Sequence, residues 1–217
     1  MNDAITLEKN KVSVKEVGYL FIKRLFDIIC GLLGCILILP IEIAYVCNKD
    51  FASIFYSQIR IGKNGKKFKL YKFRSMVPNA DEILSKTLEM DKVAAEQWRK
   101  YQKLENDPRI TKMGNILRKT SLDEIPQVFN VLKGDMSMIG PRPLVIGELD
   151  AHKGNHEIYE SVRPGITGWW ACNGRSATTY KKRLELEYYY CNNRSLWLDI
   201  KCIFLTIKAV LFKDGAK

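Results

Sequence analysis

Apolar and polar positions change their rhythm several times along the chain. Residues 28–41 read IICGLLGCILILPI, an uncharged run closed by Asp27 on one side and Glu42 on the other. Residues 56–76 read YSQIRIGKNGKKFKLYKFRSM, where β-prone stretches flank the turn-forming pair Asn64-Gly65, and this predicts a β-hairpin. Asp81 to Leu104 is dense in charge and predicts a solvated helix with Asn79 or Asp81 near its cap, ended by Asp107-Pro108. Ile110, Met113, Ile116 and Leu117 then recur at helical spacing. Ser121 predicts the cap of a further helix, with Glu124 three residues on completing a capping box. VRPGITGWW at 162–170 predicts a turn-rich loop. SLWLDIKCIFLTIKAVLFK at 195–213 predicts a helix opened by Ser195, with Trp197, Ile200, Ile203, Phe204, Ile207 and Leu211 on a broad apolar face. That face suits a membrane interface or a protein core, and both readings stay open.

The apolar run is short for a spanning segment. Its fourteen residues reach roughly 21 Å as a helix, against a hydrocarbon core about 30 Å thick. Extending it to Val46 would bury Glu42, which is costly in lipid. It starts well inside the chain and no small-residue cleavage site follows, so it does not read as a signal peptide. Pro40 should kink or break a helix there. Lys23 and Arg24 precede the run, with stems long enough to reach toward headgroups. The pattern therefore predicts a re-entrant helix that dips into one leaflet, turns back near Pro40, and leaves the N-terminus and main domain together on the cytoplasmic side. A buried core helix of a soluble protein is the alternative. The expected organisation is a polar leader over 1–19, a re-entrant anchor over 20–48, and a main domain over 49–217.

Composition narrows the partners. A chain of 217 residues with 47% hydrophobic and 27% charged residues is long and apolar enough for a real core. Lys and Arg number 35 against 24 Asp and Glu, a net charge of +11 that calls for an anionic partner: nucleic acid, an anionic membrane or a phosphorylated substrate. The six cysteines form no CxxC, and His152 and His156 lie near none of them, which argues against zinc and for a reduced, cytosolic compartment.

SLDEIPQVFN, residues 121–130, sets Asp123 and Glu124 side by side in a largely apolar stretch of this cationic chain. Basic residues recur around it: Lys72 and Arg74 in YKFRSM, Arg118 and Lys119 just before the pair, Arg142 in GPRP, and Arg163 in RPG. Pro141 and Pro143 restrict the backbone at Arg142, and a rigidly held guanidinium suits fork-like binding of phosphate oxygens. If these clusters converge on the pair, they bind a diphosphate and lower the carboxylates' pKa values. One carboxylate can attack phosphorus or carbon, and its neighbour can hold Mg²⁺. The structural alternative is plain: two acids in the first turn of a helix stabilise its dipole. GKNGKK looks like a phosphate loop but lacks the spacing and the closing Ser or Thr.

The motifs KRLFD, YSQIRIGKNGKKFKLYKFRSM, DPRITKMGNILRKTSLDEIPQVFNVLKGDMSMIGPRP, RPGITGWW and SLWLDIKCIF occur in this order. Together they resemble the bacterial sugar transferase family, the monotopic polyprenol-phosphate phosphoglycosyl transferases, over roughly residues 20 to 212. The chain looks like a small form, without the extra membrane-spanning region of larger members. The resemblance implies an enzyme on the cytoplasmic face of the cytoplasmic membrane, anchored by a re-entrant helix and interfacial amphipathic helices. It implies an α+β fold, mostly helical, with a small β-hairpin around a cytoplasmic catalytic core. The implied reaction moves a phosphosugar from a UDP-sugar to polyprenyl phosphate and releases UMP. Asp123 then matches the nucleophile and Glu124 the residue engaging Mg²⁺. Lys72, Arg74, Arg118, Arg142, Arg175 and Glu187 match substrate-binding positions, and Lys23, Arg24, Asp27 and Pro40 the anchor.

Implied partners are the UDP-sugar, polyprenyl phosphate and anionic membrane lipids, with a homodimer left open and no nucleic acid. The chain departs from the family pattern in four places. DFAS at 50–53 replaces Ser-Pro-Gly-Pro, GWWA at 168–171 replaces GLAQ, Glu187 replaces Asp, and no Ser stands next to Pro40. Two rivals are a basic nucleic-acid-binding module and a non-catalytic membrane scaffold. The first lacks aromatic residues interleaved with its cations and carries no nucleic-acid motif.

Overall fold

The chain folds along one helix of 34 residues, α1 (Val14–Cys47). The computed structural model describes residues 14–47, 53–101, 104–148, 156–174 and 178–211. After α1 comes an antiparallel hairpin, β1 (Phe55–Ile61) and β2 (Lys67–Phe73), with Ile61 opposite Lys67 and Tyr56 opposite Lys72. Helices α2 (Ala80–Met90), α3 (Lys92–Tyr101), α4 (Lys112–Thr120) and α5 (Gln127–Lys133) follow. A short strand β3 (Ser137–Ile139) pairs in parallel with β4 (Gly165–Thr167), and α6 (His156–Glu160) lies between them in sequence. The chain continues through α7 (Trp169–Cys172), α8 (Tyr180–Asn193) and α9 (Leu196–Leu211). The fold is α+β and mostly helical, as the sequence implies.

Helix α1 carries one stripe for the protein and one for its surroundings. Tyr19, Lys23, Asp27, Gly31 and Ile38 are buried, at helical spacing along one face. Phe21, Leu25, Ile29, Leu32, Leu33, Ile36, Leu37, Leu39 and Ile43 are exposed on the rest. Among the described residues, α1 is the one helix long and apolar enough to cross a membrane. Gly31 and Gly34 let α5 close in, since a Cβ at Gly34 would lie 2.6 Å from Val128 Cγ1 and one at Gly31 would lie 2.8 Å from Leu132 Cδ2.

Several expectations change in the structure. Helix α1 begins at Val14, so residues 14–19 of the expected leader are helical, while residues 1–13 lie outside the described residues. The helix does not end at Pro40 but runs through it to Cys47. An interior proline costs about 3 kcal/mol, and Ile38 and Ile41, packed on either side of it into the core, offset that cost. Lys23 and Arg24 do not reach outward. Lys23 Nζ donates to Asp199 Oδ2 at 2.8 Å and to Tyr190 OH at 3.2 Å. The Arg24 guanidinium donates to the carbonyls of Val131 (2.6 Å) and Leu132 (2.8 Å), which the end of α5 leaves open. Asp27 accepts from Ser137 Oγ at 3.0 Å and from the Met138 N–H at 2.8 Å. All three charged anchor residues thus fasten α1 to the domain.

The expected charged helix is two helices, because Asp91 turns the backbone to an extended conformation and caps α3 with Oδ1, which accepts from Val93 and Ala94. Asn79 stands at the start of α2 but makes no side-chain cap bond. The hairpin turn is longer than two residues, yet Asn64 (φ 57°) and Gly65 (φ 70°) are the left-handed positions within it. VRPGITGWW is not a loop throughout: GIT forms β4 and WWAC forms α7, because the Gly165 N–H donates to Pro141 and the Gly140 N–H to Thr167. Ser195 does open α9, its Oγ accepting from the Leu198 N–H at 3.3 Å. One face of α9 is core (Leu198, Asp199 and Cys202), while Trp197, Ile200, Phe204 and Ile207 are exposed on the other.

Candidate active site

The acidic pair sits in the joint between α4 and α5. Thr111 opens α4, its Oγ1 accepting from the Gly114 N–H at 2.9 Å. Ser121 closes it in the left-handed region (φ 58°, ψ 17°), and its N–H donates to the Arg118 carbonyl. Ser121 is therefore the end of one helix rather than the capped start of the next, and the expected capping box with Glu124 is not formed. Leu122–Glu124 makes a single 3₁₀ turn and Pro126 leads into α5. Leu122 and Ile125 pack into the cluster of Ile38, Phe73, Leu117 and Val128. Their burial turns Asp123 and Glu124 toward the end of β2, where Lys72 stands.

Lys72 Nζ lies 2.6 Å from Glu124 Oε1 and 4.0 Å from Asp123 Oδ2. The Asp123 side chain is 14% exposed and that of Glu124 is 34% exposed. Burial raises the pKa of Asp123 above its ordinary value. Lys72 and Arg118 pull it down, and the charge on Glu124 pushes it up again. The expectation of a lowered pKa is thus reversed for Asp123, because desolvation of this carboxyl outweighs the two cations that act on it.

The other predicted residues divide between this site and a second cluster. Arg118 Nε donates to Ser75 Oγ at 2.8 Å, which ties α4 to the segment after β2. Arg74 Nε donates to the Ser53 carbonyl at 2.8 Å, and its guanidinium lies 5.9 Å from the Tyr56 ring centre. Ser53 belongs to the unusual DFAS segment, whose residues 50–52 lie outside the described residues, as does Arg175.

Arg142 and Glu187 meet elsewhere. Glu187, 1% exposed, accepts the Arg142 N–H at 3.2 Å and Arg183 Nε at 3.3 Å. Burial raises its pKa against the opposing pull of Arg183. Tyr159 OH donates to the Arg142 carbonyl. The Arg142 and Arg183 guanidinium groups lie 5.9 Å and 5.1 Å from the Trp170 ring centre. Glu187 Oε2, Arg60 Nε and Arg183 Nη2 are buried without a hydrogen bond, although Arg183 Nη2 stands 2.9 Å from Glu148 Oε1. Glu187 thus braces the backbone of GPRP through Arg142.

Sequence reasoning missed Ser75, Gly114, Glu148, Tyr159, Trp170 and Arg183. The signal for Arg183 was present, since it stands one helical turn before Glu187 on α8. Gly114 has a plain reason: a Cβ there would strike the Ser75 backbone, so α4 could not approach Arg118's partner.

The arrangement can hold phosphate oxygens and offer a carboxylate to them. Asp123 and Glu124 are adjacent oxygen donors reached by one cation. Among the described residues no group of three or more His, Cys, Asp or Glu side chains gathers to hold a metal. A pair of carboxylates still fits Mg²⁺, which takes one or two of them together with substrate phosphates.

Comparison with known proteins gives a consistent picture. The chain is 46% identical over 198 residues to the undecaprenyl-phosphate galactose phosphotransferase of Salmonella typhimurium, covering 90% of this chain and 42% of that protein. It is 41% identical to the exopolysaccharide production protein ExoY of Sinorhizobium fredii, over 89% of this chain and 87% of that one. It is 39% identical to the UDP-glucose:undecaprenyl-phosphate glucose-1-phosphate transferase of Escherichia coli, over 86% of this chain and 39% of that one. The chain therefore spans less than half the length of the first and last of these relatives. The pattern that defines the bacterial sugar transferases matches residues 18–213, nearly everything described above. The chain belongs to the bacterial sugar transferase family.

Proposed function

We propose that this protein transfers a phosphosugar from a UDP-sugar to polyprenyl (undecaprenyl) phosphate, forming a polyprenyl-diphosphate sugar and UMP. The observation that carries the reading is a largely buried carboxylate, Asp123, beside a second carboxylate and Lys72. The names of the Salmonella and E. coli relatives support the acceptor and the reaction class.

The mechanism follows from charge and position. A carboxylate oxygen of Asp123 attacks the β-phosphorus of the donor. The bond from that phosphorus to the bridging oxygen breaks, and UMP leaves with the electron pair. An oxygen of the lipid phosphate then attacks the phosphorus held on Asp123, the aspartyl bond breaks, and the free carboxylate returns. Two half-reactions of this kind give ping-pong kinetics. Lys72 and Arg118 offset the negative charge that gathers as donor and carboxylate approach. Glu124 is the residue that would hold Mg²⁺, which neutralises diphosphate charge when bound. Glu187 keeps Arg142 in place for the donor.

The exposed apolar faces of α1 and α9 support attachment to a membrane. The domain covers the inner face of α1 from Tyr19 to Ile38, which favours a helix lodged in one leaflet over a free span. That placement on the cytoplasmic face brings a soluble anionic donor and a lipid phosphate to one depth. The reaction is tested by incubating the protein with UDP-sugars and polyprenyl phosphate in the presence of Mg²⁺, reading UMP, and mapping any phosphosugar adduct by mass spectrometry. An adduct on Asp123, absent in Asp123→Asn, is the expected result. UMP release that persists in Asp123→Asn would overturn the assignment.

A further inference from the structure

Away from the acidic pair, the hairpin turn GKNGKK and the loop after α5 enclose a cleft of about 170 Å³. Lys63, Lys66, Lys133 and Arg163 line it, together with Gly62, Asn64, Phe68, Gly134 and one acid, Asp135. These cations come from three separated stretches of the chain, so the fold assembles what the sequence leaves scattered. Two of the four are partly committed. Lys133 Nζ donates to Tyr71 OH at 3.1 Å, and Arg163 Nε donates to the Gly134 carbonyl at 2.9 Å. The terminal nitrogens of Arg163 and the ammonium groups of Lys63 and Lys66 have no hydrogen-bond or ion-pair partner among the described residues.

Further charge lies around the rim. The Glu160 carboxylate would stand 3.2 Å from a Cβ at Gly65, and Arg24 Nη2 would stand 3.7 Å from one at Gly134. Lys63 also feels Arg194 and Glu16, and burial followed by the charges of Arg163 and Arg194 lowers its pKa. Taking lining and rim together, six cations (Lys63, Lys66, Lys133, Arg163, Arg24 and Arg194) face three acids (Asp135, Glu160 and Glu16).

The cleft is separate from the candidate active site. It lies at the turn of the hairpin, whereas Lys72 lies at the far end of β2. Five steps along the strand separate Lys67 from Lys72, about 17 Å at about 3.3 Å per step. Lys63 feels the charges of Arg194 and Glu16, an ion pair at the starts of α9 and α1, the helices with exposed apolar faces. A cationic cleft linked by charge to those helices suits a phosphorylated anion at a membrane surface.

We propose that this cleft is a second phosphoryl-anion site, filled by the phosphate of an anionic lipid headgroup or by a free di- or oligophosphate. A water takes about 30 Å³ in the liquid, so the space holds a phosphate group with a few waters. The site goes beyond the transfer reaction and is tested apart from it. The full chain, its parent form and a Lys63→Ala/Lys66→Ala double variant, is assayed in two ways. One is binding to phosphatidylcholine vesicles with and without phosphatidylglycerol. The other is calorimetric binding of pyrophosphate in neutral detergent. A Lys86→Ala/Lys181→Ala variant removes the same charge elsewhere, and Lys63→Arg/Lys66→Arg keeps it in the cleft.

The cleft variant should lose about tenfold in the preference for phosphatidylglycerol, in pyrophosphate affinity, or in both, while the two comparison variants keep the parent values. Loss confined to vesicles assigns the site to a headgroup, and loss confined to pyrophosphate assigns it to a soluble anion. Retention of both within twofold, or an equal loss in Lys86→Ala/Lys181→Ala, overturns the proposal. Formation of the Asp123 adduct is read in the same samples, so failure of the cleft and failure of the transfer reading stay distinct.

Discussion

Lys72 stands 2.6 Å from Glu124 but 4.0 Å from Asp123, so one ammonium group is held by the first carboxylate and shared with the second. Asp123, the proposed nucleophile, is left less firmly paired than its neighbour. Removing the cation should therefore act on Asp123 through charge. Lys72 lowers a pKa that burial has raised, so Lys72→Met lets it rise further. In the proposed transfer Asp123 must be ionised to attack, hence the acid limb of the pH–rate profile for UMP release should move to higher pH. The rate on the plateau should fall by about 10²-fold, the order seen when one preorganised donor is lost from an active site. Lys72→Arg should restore the position of the acid limb in large part.

Glu124→Gln should move that limb the other way. The charge on Glu124 raises the pKa of Asp123, and its removal leaves Lys72 to Asp123 alone. The acid limb then shifts to lower pH even as the rate falls. If Glu124 holds the divalent ion, the Mg²⁺ concentration for half-maximal UMP release also rises. A titration of UMP release against Mg²⁺ at several pH values reads both effects. An acid limb that moves the same way in Lys72→Met and Glu124→Gln would contradict this account of Asp123.

Much of this was legible in the order of residues, and the failures share a cause. The hairpin and its turn pair Asn64-Gly65 were readable because turn chemistry is local. Ser195 as the opener of α9 was readable for the same reason. Ser121 misled because Ser-x-x-Glu is a capping box only if the preceding helix has ended earlier. Here α4 runs to Thr120 and needs a left-handed residue to stop. Lys23 and Arg24 misled because a basic pair before an apolar run reads as a headgroup contact. Their partners, Asp199 and the α5 carbonyls, lie more than a hundred residues away in sequence. The pKa of Asp123 could not be read at all, since proximity in sequence announces the charges and says nothing of desolvation.

The buried link between α1 and the last helix yields a stability prediction. Asp199 accepts from Lys23 Nζ at 2.8 Å, from Tyr190 OH at 2.6 Å and from Tyr19 OH at 3.1 Å. Asp199→Ala leaves the ammonium of Lys23 buried without its counter-ion and removes the acceptor of Tyr19 OH, while Tyr190 OH keeps only the Ile139 carbonyl at 3.2 Å. Breaking a buried pair on one side costs about 3–5 kcal/mol, so thermal unfolding in neutral detergent should begin many degrees lower. The double variant Lys23→Met/Asp199→Leu removes both charges and should recover most of that loss. Equal unfolding temperatures in Asp199→Ala and the parent would mean that the link contributes nothing to holding α1.

The outer face of α9 carries the last prediction. Trp197 is 66% exposed and Phe204 is 69% exposed, while Leu198 between them in sequence is 6% exposed. A soluble domain has no use for two large rings in water on one helix face, beside the apolar face of α1. Placed in an interface, each side chain contributes about 1.5–3 kcal/mol. Trp197→Glu/Phe204→Glu should then weaken binding to neutral phosphatidylcholine vesicles by about a hundredfold. The unfolding temperature in detergent should stay near the parent value, because neither ring helps build the core. Leu198→Glu should do the reverse and unfold the protein, since it drives a carboxylate into the cluster of Ile139, Tyr190 and Cys202. Vesicle flotation of the ring variant at the parent level would show that α9 faces water, and the membrane contact would then rest on α1 alone.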